Sequence, residues 1–82
     1  MKNQRDEELR QRIRDNLIDL RNKKGLKQSD IADLTGRSNN AVGSWEQGLS
    51  LPDIETLYRL STYYNLTMEY FFTHNPEKTD DK

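Results

Sequence analysis

Residues 38–48 read SNNAVGSWEQG, and the fold turns on how this stretch is understood. Ser38 is a good N-cap, Gly48 a good stop, and nothing between them forbids a helix over 39–47. Advancing about 100 degrees per residue from Asn39, the residues Asn39, Gly43, Gln47, Asn40 and Ser44 fall at roughly 0, 40, 80, 100 and 140 degrees. Ala41, Trp45, Leu49 and Val42 take roughly 200 to 300 degrees. One side of this helix is core, and the other is small, uncharged and rich in amides.

The flanking segments supply companions. Leu9, Ile13, Leu17 and Leu20 recur at helical spacing, with Asp6 placed to cap and Gly25 to stop, which predicts a first helix over about 7–24. Ile31, Ala32 and Leu34 mark a shorter helix over about 28–35, closed by Gly36. After Pro52, Asp53 can cap a fourth helix whose inward stripe is Ile54, Leu57, Leu60, Ser61 and Tyr64, with Asn65 as a left-handed stop. Thr67 can cap a last helix over about 68–72, with Leu66 and Phe71 forming a hydrophobic staple. No segment alternates with period two, so the chain reads as an all-α, five-helix domain over 1–72. The remaining residues, 73–82, read as a polar, disordered tail.

Composition narrows the function. A chain of 82 residues with 32% hydrophobic residues has room for one small core. There is no cysteine, and the single histidine, His74, has no spaced partners, so neither a disulfide framework nor a metal site is expected. The longest apolar run is Tyr70-Phe71-Phe72, and MKNQRDEELRQ at the start lacks the apolar stretch of a signal peptide, so a soluble, cytoplasmic protein is expected, with no membrane partner. The net charge is −1 but unevenly spread. Residues 1–27 carry nine Lys/Arg against five Asp/Glu, a local charge of +4, and residues 28–82 carry four against nine, or −5.

A merely solvated helix face in a chain that is 33% charged should carry Lys and Glu. This one carries Asn, Gly, Ser and Gln, and Gly43 alone costs about 1 kcal/mol relative to alanine in a helix interior. Asn and Gln offer a donor beside an acceptor, which matches the N6 and N7 edge of adenine in the major groove, and serine can play either part. Trp45 lies opposite the amides and reads as core rather than as a base-stacking platform. Glu46 reads as a residue that bonds locally, and the tyrosines mostly as packing residues.

These residues resemble the phage-repressor and Cro-like helix-turn-helix regulators, also called the xenobiotic-response-element family. The resemblance runs through Leu17 and Leu20, GLKQSDIADLTGRS at 25–38, AVGSWEQG at 41–48, Pro52, IETLYRL at 54–60 and NLTMEYFF at 65–72. It implies a compact five-helix DNA-binding domain, helices two and three forming the DNA-binding unit, acting as a dimer on a palindromic operator, with no cofactor. It places Gln28 where the family touches a phosphate and buttresses the recognition helix, and Asn39, Asn40 and Ser44 at base-contacting positions. Gly43 falls on a position that is often polar and DNA-facing.

Lys27 stands where the family usually has a Thr or Ser cap; it forfeits that cap, with Asp30 able to reach back instead, or it serves a phosphate, and both can hold together. Arg37 replaces a commonly apolar turn residue, as an exposed substitute or a phosphate contact. The expected DNA-binding set is thus Lys27, Gln28, Arg37, Ser38, Asn39, Asn40, Gly43, Ser44 and Gln47. Leu66, Met68, Tyr70, Phe71 and Phe72 are expected to form a homodimer interface, since they exceed what a six-residue terminal helix can bury. The leading expectation is a sequence-specific transcriptional repressor. The alternative is a protein-interaction module of the same fold, antitoxin-like or anti-repressor-binding, which the net negative charge and the uncharged recognition face favour. No nucleophile, base and orienting group occur at a recognisable spacing, so an enzyme is not expected, and without a second domain neither is a small-molecule ligand.

Overall fold

The computed structural model describes residues 4–76, with side chains from Glu7 onward. They form α1 (Gln4–Lys23), α2 (Gln28–Thr35), α3 (Asn39–Gln47), α4 (Ile54–Tyr64) and α5 (Tyr70–Thr73), and no strand is present among the described residues. Helix α3 packs on α2 and α1, α4 on α2, and α5 on α1.

Local chemistry sets most boundaries. The Ser38 hydroxyl accepts from Ala41 N at 3.1 Å, and the Asp53 carboxylate accepts from Thr56 N at 3.0 Å. Each satisfies a donor that the first helical turn leaves without a partner. The ammonium of Lys27 has no lone pair to cap with, and the carboxylate of Asp30 does reach back, accepting from Lys27 N at 2.8 Å. Gly36 and Asn65 end α2 and α4 in the left-handed region, at φ 71° and 62°. Asparagine is among the few residues with a side chain that visit this region readily.

Ile13, Leu17, Leu20, Ile31, Ala32, Val42, Trp45, Leu57, Leu60, Tyr64 and Phe71 form one core. Four expectations give way in the structure. Helix α1 starts at Gln4, so Asp6 lies within its first turn rather than at its cap. Its early turns run past the core, leaving Leu9 and its neighbours from 7 to 10 exposed. Ile54 is 76% exposed, because the first turn of α4 overhangs the stripe that begins at Leu57. Thr67 does not cap α5: its carbonyl accepts from Tyr70 N at 3.2 Å, and tight turns at 67–69 lead into a helix beginning at Tyr70.

Two polar clamps hold α1 in place. The Asn16 side chain is wholly buried, and its amide nitrogen donates to the carbonyls of Tyr70 at 3.4 Å, Phe71 at 3.1 Å and His74 at 2.9 Å. It thereby serves the carbonyls of Phe71 and of the C-cap residue His74, and adds to the His74 N–H that Tyr70 O already accepts at 2.9 Å. The ordered chain consequently continues past the boundary expected at 72: Thr73 ends α5, His74 stacks on Tyr70 with ring centroids 4.3 Å apart, and Pro76 is buried. The rest of the tail expected over 73–82, residues 77–82, lies outside the described residues.

The second clamp is Arg21 against Glu46. Arg21 Nε donates to Glu46 Oε2 at 2.7 Å and Arg21 Nη2 to Oε1 at 2.9 Å, while Nη1 donates to Leu26 O at 3.0 Å. The side chains are only 18% and 9% exposed, and the bonded carboxylate raises the Arg21 pKa above its ordinary value. Glu46 thus bonds across 25 residues of sequence rather than locally.

Asn16→Ala is expected to cost about 1–3 kcal/mol by leaving buried carbonyls unpaired. Asn16→Asp should cost more at pH 7, because a carboxylate cannot donate, and should recover toward low pH as protonation restores a donor. Urea denaturation of both variants at pH 7 and pH 4 checks this, and equal costs at pH 7 would refute the clamp. Arg21→Ala is expected to cost about 3–5 kcal/mol by leaving the buried Glu46 without a counter-charge and with only the Gln28 amide as partner, and the double replacement Arg21→Met with Glu46→Leu markedly less. A double-mutant cycle by chemical denaturation measures the difference.

Candidate nucleic-acid interface

Trp45 and Val42 are 6% and 1% exposed, which anchors one side of α3 in the core. The opposite side therefore faces out. Asn39, Asn40 and Gln47 are exposed, and Gly43 and Ser44 are half-buried between them. Helix α3 carries no cation on this side, so its capacity for recognition lies in the paired donors and acceptors of its amides.

The bracing comes from α2. Gln28 Nε2 donates to Glu46 Oε1 at 3.0 Å, joining the carboxylate already gripped by Arg21. The Gln28 oxygen stands near Gly43, 3.7 Å from where a Cβ on that residue would sit, and Gln47 Nε2 stands 4.0 Å from the same point. Both are ordinary van der Waals distances, and Gly43 has no positive φ. Packing and backbone geometry thus leave the loss of about 1 kcal/mol of helix propensity at Gly43 unexplained.

Cations flank the amide face rather than lying within it. Lys27 is exposed at the start of α2. At the far end of α3, Arg10 and Arg14 of α1 line a depression with Glu7 and Gly48; Arg14 Nη2 lies 3.6 Å from Asp15 Oδ1, and Arg14 Cδ lies 3.4 Å from the place a Gly48 Cβ would take. Nothing in the spacing of α1 alone places these two arginines beside α3, because the juxtaposition is created by packing. Arg37 is held differently. Its Nη2 lies 2.9 Å from Asp53 Oδ2 and 3.5 Å from Glu55 Oε1, and its Nε donates to Thr56 Oγ1 at 3.2 Å. A phosphate would have to compete there with two carboxylates.

Ser38 uses its hydroxyl on its own helix, and Ser44 Oγ lies 2.7 Å from Ser50 Oγ, tying α3 to the following loop. The Asp53 carboxyl is held below its ordinary pKa by hydrogen bonds from the Thr56 hydroxyl and backbone N–H, helped by Arg37. A carboxyl lowered on folding stabilises above its unfolded pKa, and the contribution is lost as pH falls through the lower folded value.

The surface expected to meet a second copy is largely consumed within the chain. Phe71 has 0% exposure and offers nothing to a partner. Leu66, Met68, Tyr70 and Phe72 are half-buried and pack against the core, because α5 folds back onto α1 under the Asn16 clamp. Most of the exposed apolar side chains follow α3, namely Leu49 (74%), Leu51 (41%), Ile54 (76%) and Tyr58 (61%), with Leu9 on α1 and Tyr63 late in α4 exposed as well. Among the described residues no group of His, Cys, Asp and Glu could hold a metal, and no helix is long and apolar enough to cross a membrane.

Known proteins share this arrangement. The helix-turn-helix family profile matches residues 17–71. The HTH-type transcriptional regulators PuuR of Escherichia coli strain K12 and of Shigella flexneri are each 37% identical over 65 residues, which is 79% of this chain and 35% of the relative. The chain thus matches about a third of the length of these relatives. A transcriptional regulator from Listeria innocua superposes with a TM-score of 0.72 at 33% identity, over 77% of this chain and 59% of its own. With the match spanning all of α2, α3 and α4, the chain belongs to the Cro/C1-type helix-turn-helix family of transcriptional regulators.

Proposed function

We propose that the chain binds DNA sequence-specifically and represses transcription by occupying a palindromic operator as a homodimer, with α3 in the major groove. The observation that carries this reading is the exposed, uncharged amide face of α3, fixed in orientation by Trp45 behind it and by the Arg21–Glu46–Gln28 bonds at its side. Asn39, Asn40, Ser44 and Gln47 are the base-edge readers, and Gly43 permits close approach. Lys27, Arg10 and Arg14 supply the phosphate contacts, and Ser38 and Arg37 order the entry to α3. The exposed group Leu49, Leu51, Ile54 and Tyr58 is the apolar surface available to a second copy, and it adjoins the end of the reading helix, so two such helices can be brought to half-sites about one helical turn apart.

Reading and anchoring separate experimentally. Asn40→Ala should cost about 1–3 kcal/mol on a preferred duplex and relax selectivity at one base pair. Lys27→Ala should weaken preferred and scrambled duplexes alike, and make the slope of log affinity against log salt shallower by about one unit. Isotherms for both variants across a salt series provide the measurement. Equal weakening of both duplexes by Asn40→Ala would remove Asn40 from the readers. Binding of the wild type to no duplex at low salt would leave the protein-interaction reading in its place.

Ile54→Glu should shift the chain to monomer in sedimentation equilibrium and weaken binding to a palindrome, with little change in melting temperature, since Ile54 contributes little to the core. Wild-type chain that is monomeric at high micromolar concentration, with and without operator, would exclude the dimer.

A further inference from the structure

Gln28 differs from the other amides of the interface in coming from α2 and in having its orientation dictated. Glu46 is a carboxylate and only accepts, so the nitrogen of the Gln28 amide must face it, as the 3.0 Å bond shows. The Gln28 oxygen then faces away from Glu46, toward Gly43. Gln47 Nε2 approaches the same place from α3. Around the missing side chain of residue 43 the protein thus sets one acceptor of fixed orientation beside one donor. A Cβ would fit sterically, and alanine would favour the helix, yet the position is left without a side chain.

We infer that Gln28 and Gln47 together read one adenine through the gap at Gly43. The Gln28 oxygen accepts from the adenine N6 amino group and Gln47 Nε2 donates to N7, so the two residues act as a single bidentate amide assembled from two helices. Cytosine presents an amino group without the neighbouring acceptor, guanine two acceptors, and thymine an acceptor beside a methyl, so none of them satisfies both atoms. A phosphate oxygen, itself an acceptor, has nothing to receive from the Gln28 oxygen. The second hydrogen of Gln28 Nε2 remains for the phosphate contact that the family resemblance implies, so the adenine contact adds to that role. This assignment rests on the DNA-binding reading above.

The test begins with duplexes enriched by the wild-type chain from a random library at one low salt concentration. Each position of the enriched duplex is then substituted in turn and bound to wild type, Gln28→Ala, Gln47→Ala and Gly43→Leu, with melting temperatures recorded for all four proteins. The expected result is one A·T pair at which the wild type discriminates at least tenfold and all three variants lose that discrimination, while selectivity elsewhere persists. Gly43→Leu should melt no lower than wild type, since leucine is the better helix former. A Gln28 that only braces or anchors would weaken every duplex by one factor when replaced, and that outcome overturns the inference. Relaxation of different base pairs by the three variants, or of a shared pair lacking adenine at the read position, overturns it equally. Failure of the wild type to enrich any duplex overturns the DNA-binding reading together with the inference, a result distinguishable from enrichment without the shared adenine.

Discussion

One carboxylate joins three helices. Glu46 lies on α3, its principal partner Arg21 on α1, and its third hydrogen bond comes from Gln28 on α2. Burying a carboxylate costs several kcal/mol unless its lone pairs are filled, and here a bidentate guanidinium and an amide fill them. The constraint is directional as well as energetic. Hydrophobic contact through Val42 and Trp45 is non-directional, whereas the planar Arg21 fork accepts one orientation of the carboxylate. The angle at which Asn39, Asn40 and Gln47 meet solvent therefore follows from a bond made on the helix's flank.

The charge pattern is consistent with that division. The reading helix has no cation on its outer face, and the cations near it come from the start of α2 and from α1, whose basic character is the sequence's most marked asymmetry. Four acids of the second part of the chain, Asp30, Glu46, Asp53 and Glu55, are put to structural use. Asp30 and Asp53 accept from the first turns of α2 and α4, where the helix dipole favours a negative charge, and Asp53 with Glu55 holds Arg37. A near-neutral total thus conceals a molecule in which positive charge borders the amide face while Asp30, Glu46, Asp53 and Glu55 are engaged in caps and junctions.

What could be read in the sequence was whatever is decided within a few residues. Ser38, Asp53, Gly36, Gly48 and Asn65 act through bonds or backbone angles that span one turn, and α2 and α3 occur at the expected bounds. The outward position of Asn39, Asn40 and Gln47 was legible for the same reason, since helical period places them opposite Trp45. The features that escaped are set by distant partners. Periodicity could not tell that the early turns of α1 and α4 overhang the core and expose Leu9 and Ile54, nor that Asn16 would draw α5 down and bury Phe71. Nothing near Glu46 in sequence announces Arg21, so its context points only to a local bond, and the meeting of Arg14 with Gly48 has the same long-range origin.

The amide face and the core share a helix but almost no atoms. Asn39, Asn40 and Gln47 project into solvent, and the burial that holds α3 down belongs to Val42 and Trp45. Exchanging the outward residues consequently leaves the hydrophobic core untouched, and the scaffold can be re-addressed to a new target by altering a few surface side chains. Gln28 stands apart in this respect, because it both meets Glu46 and borders the face. Lineages that diverge in target would be free to vary Asn39 and Asn40 while Gln28 and Glu46 change only in concert, a pattern of paired drift that an alignment of close relatives would display.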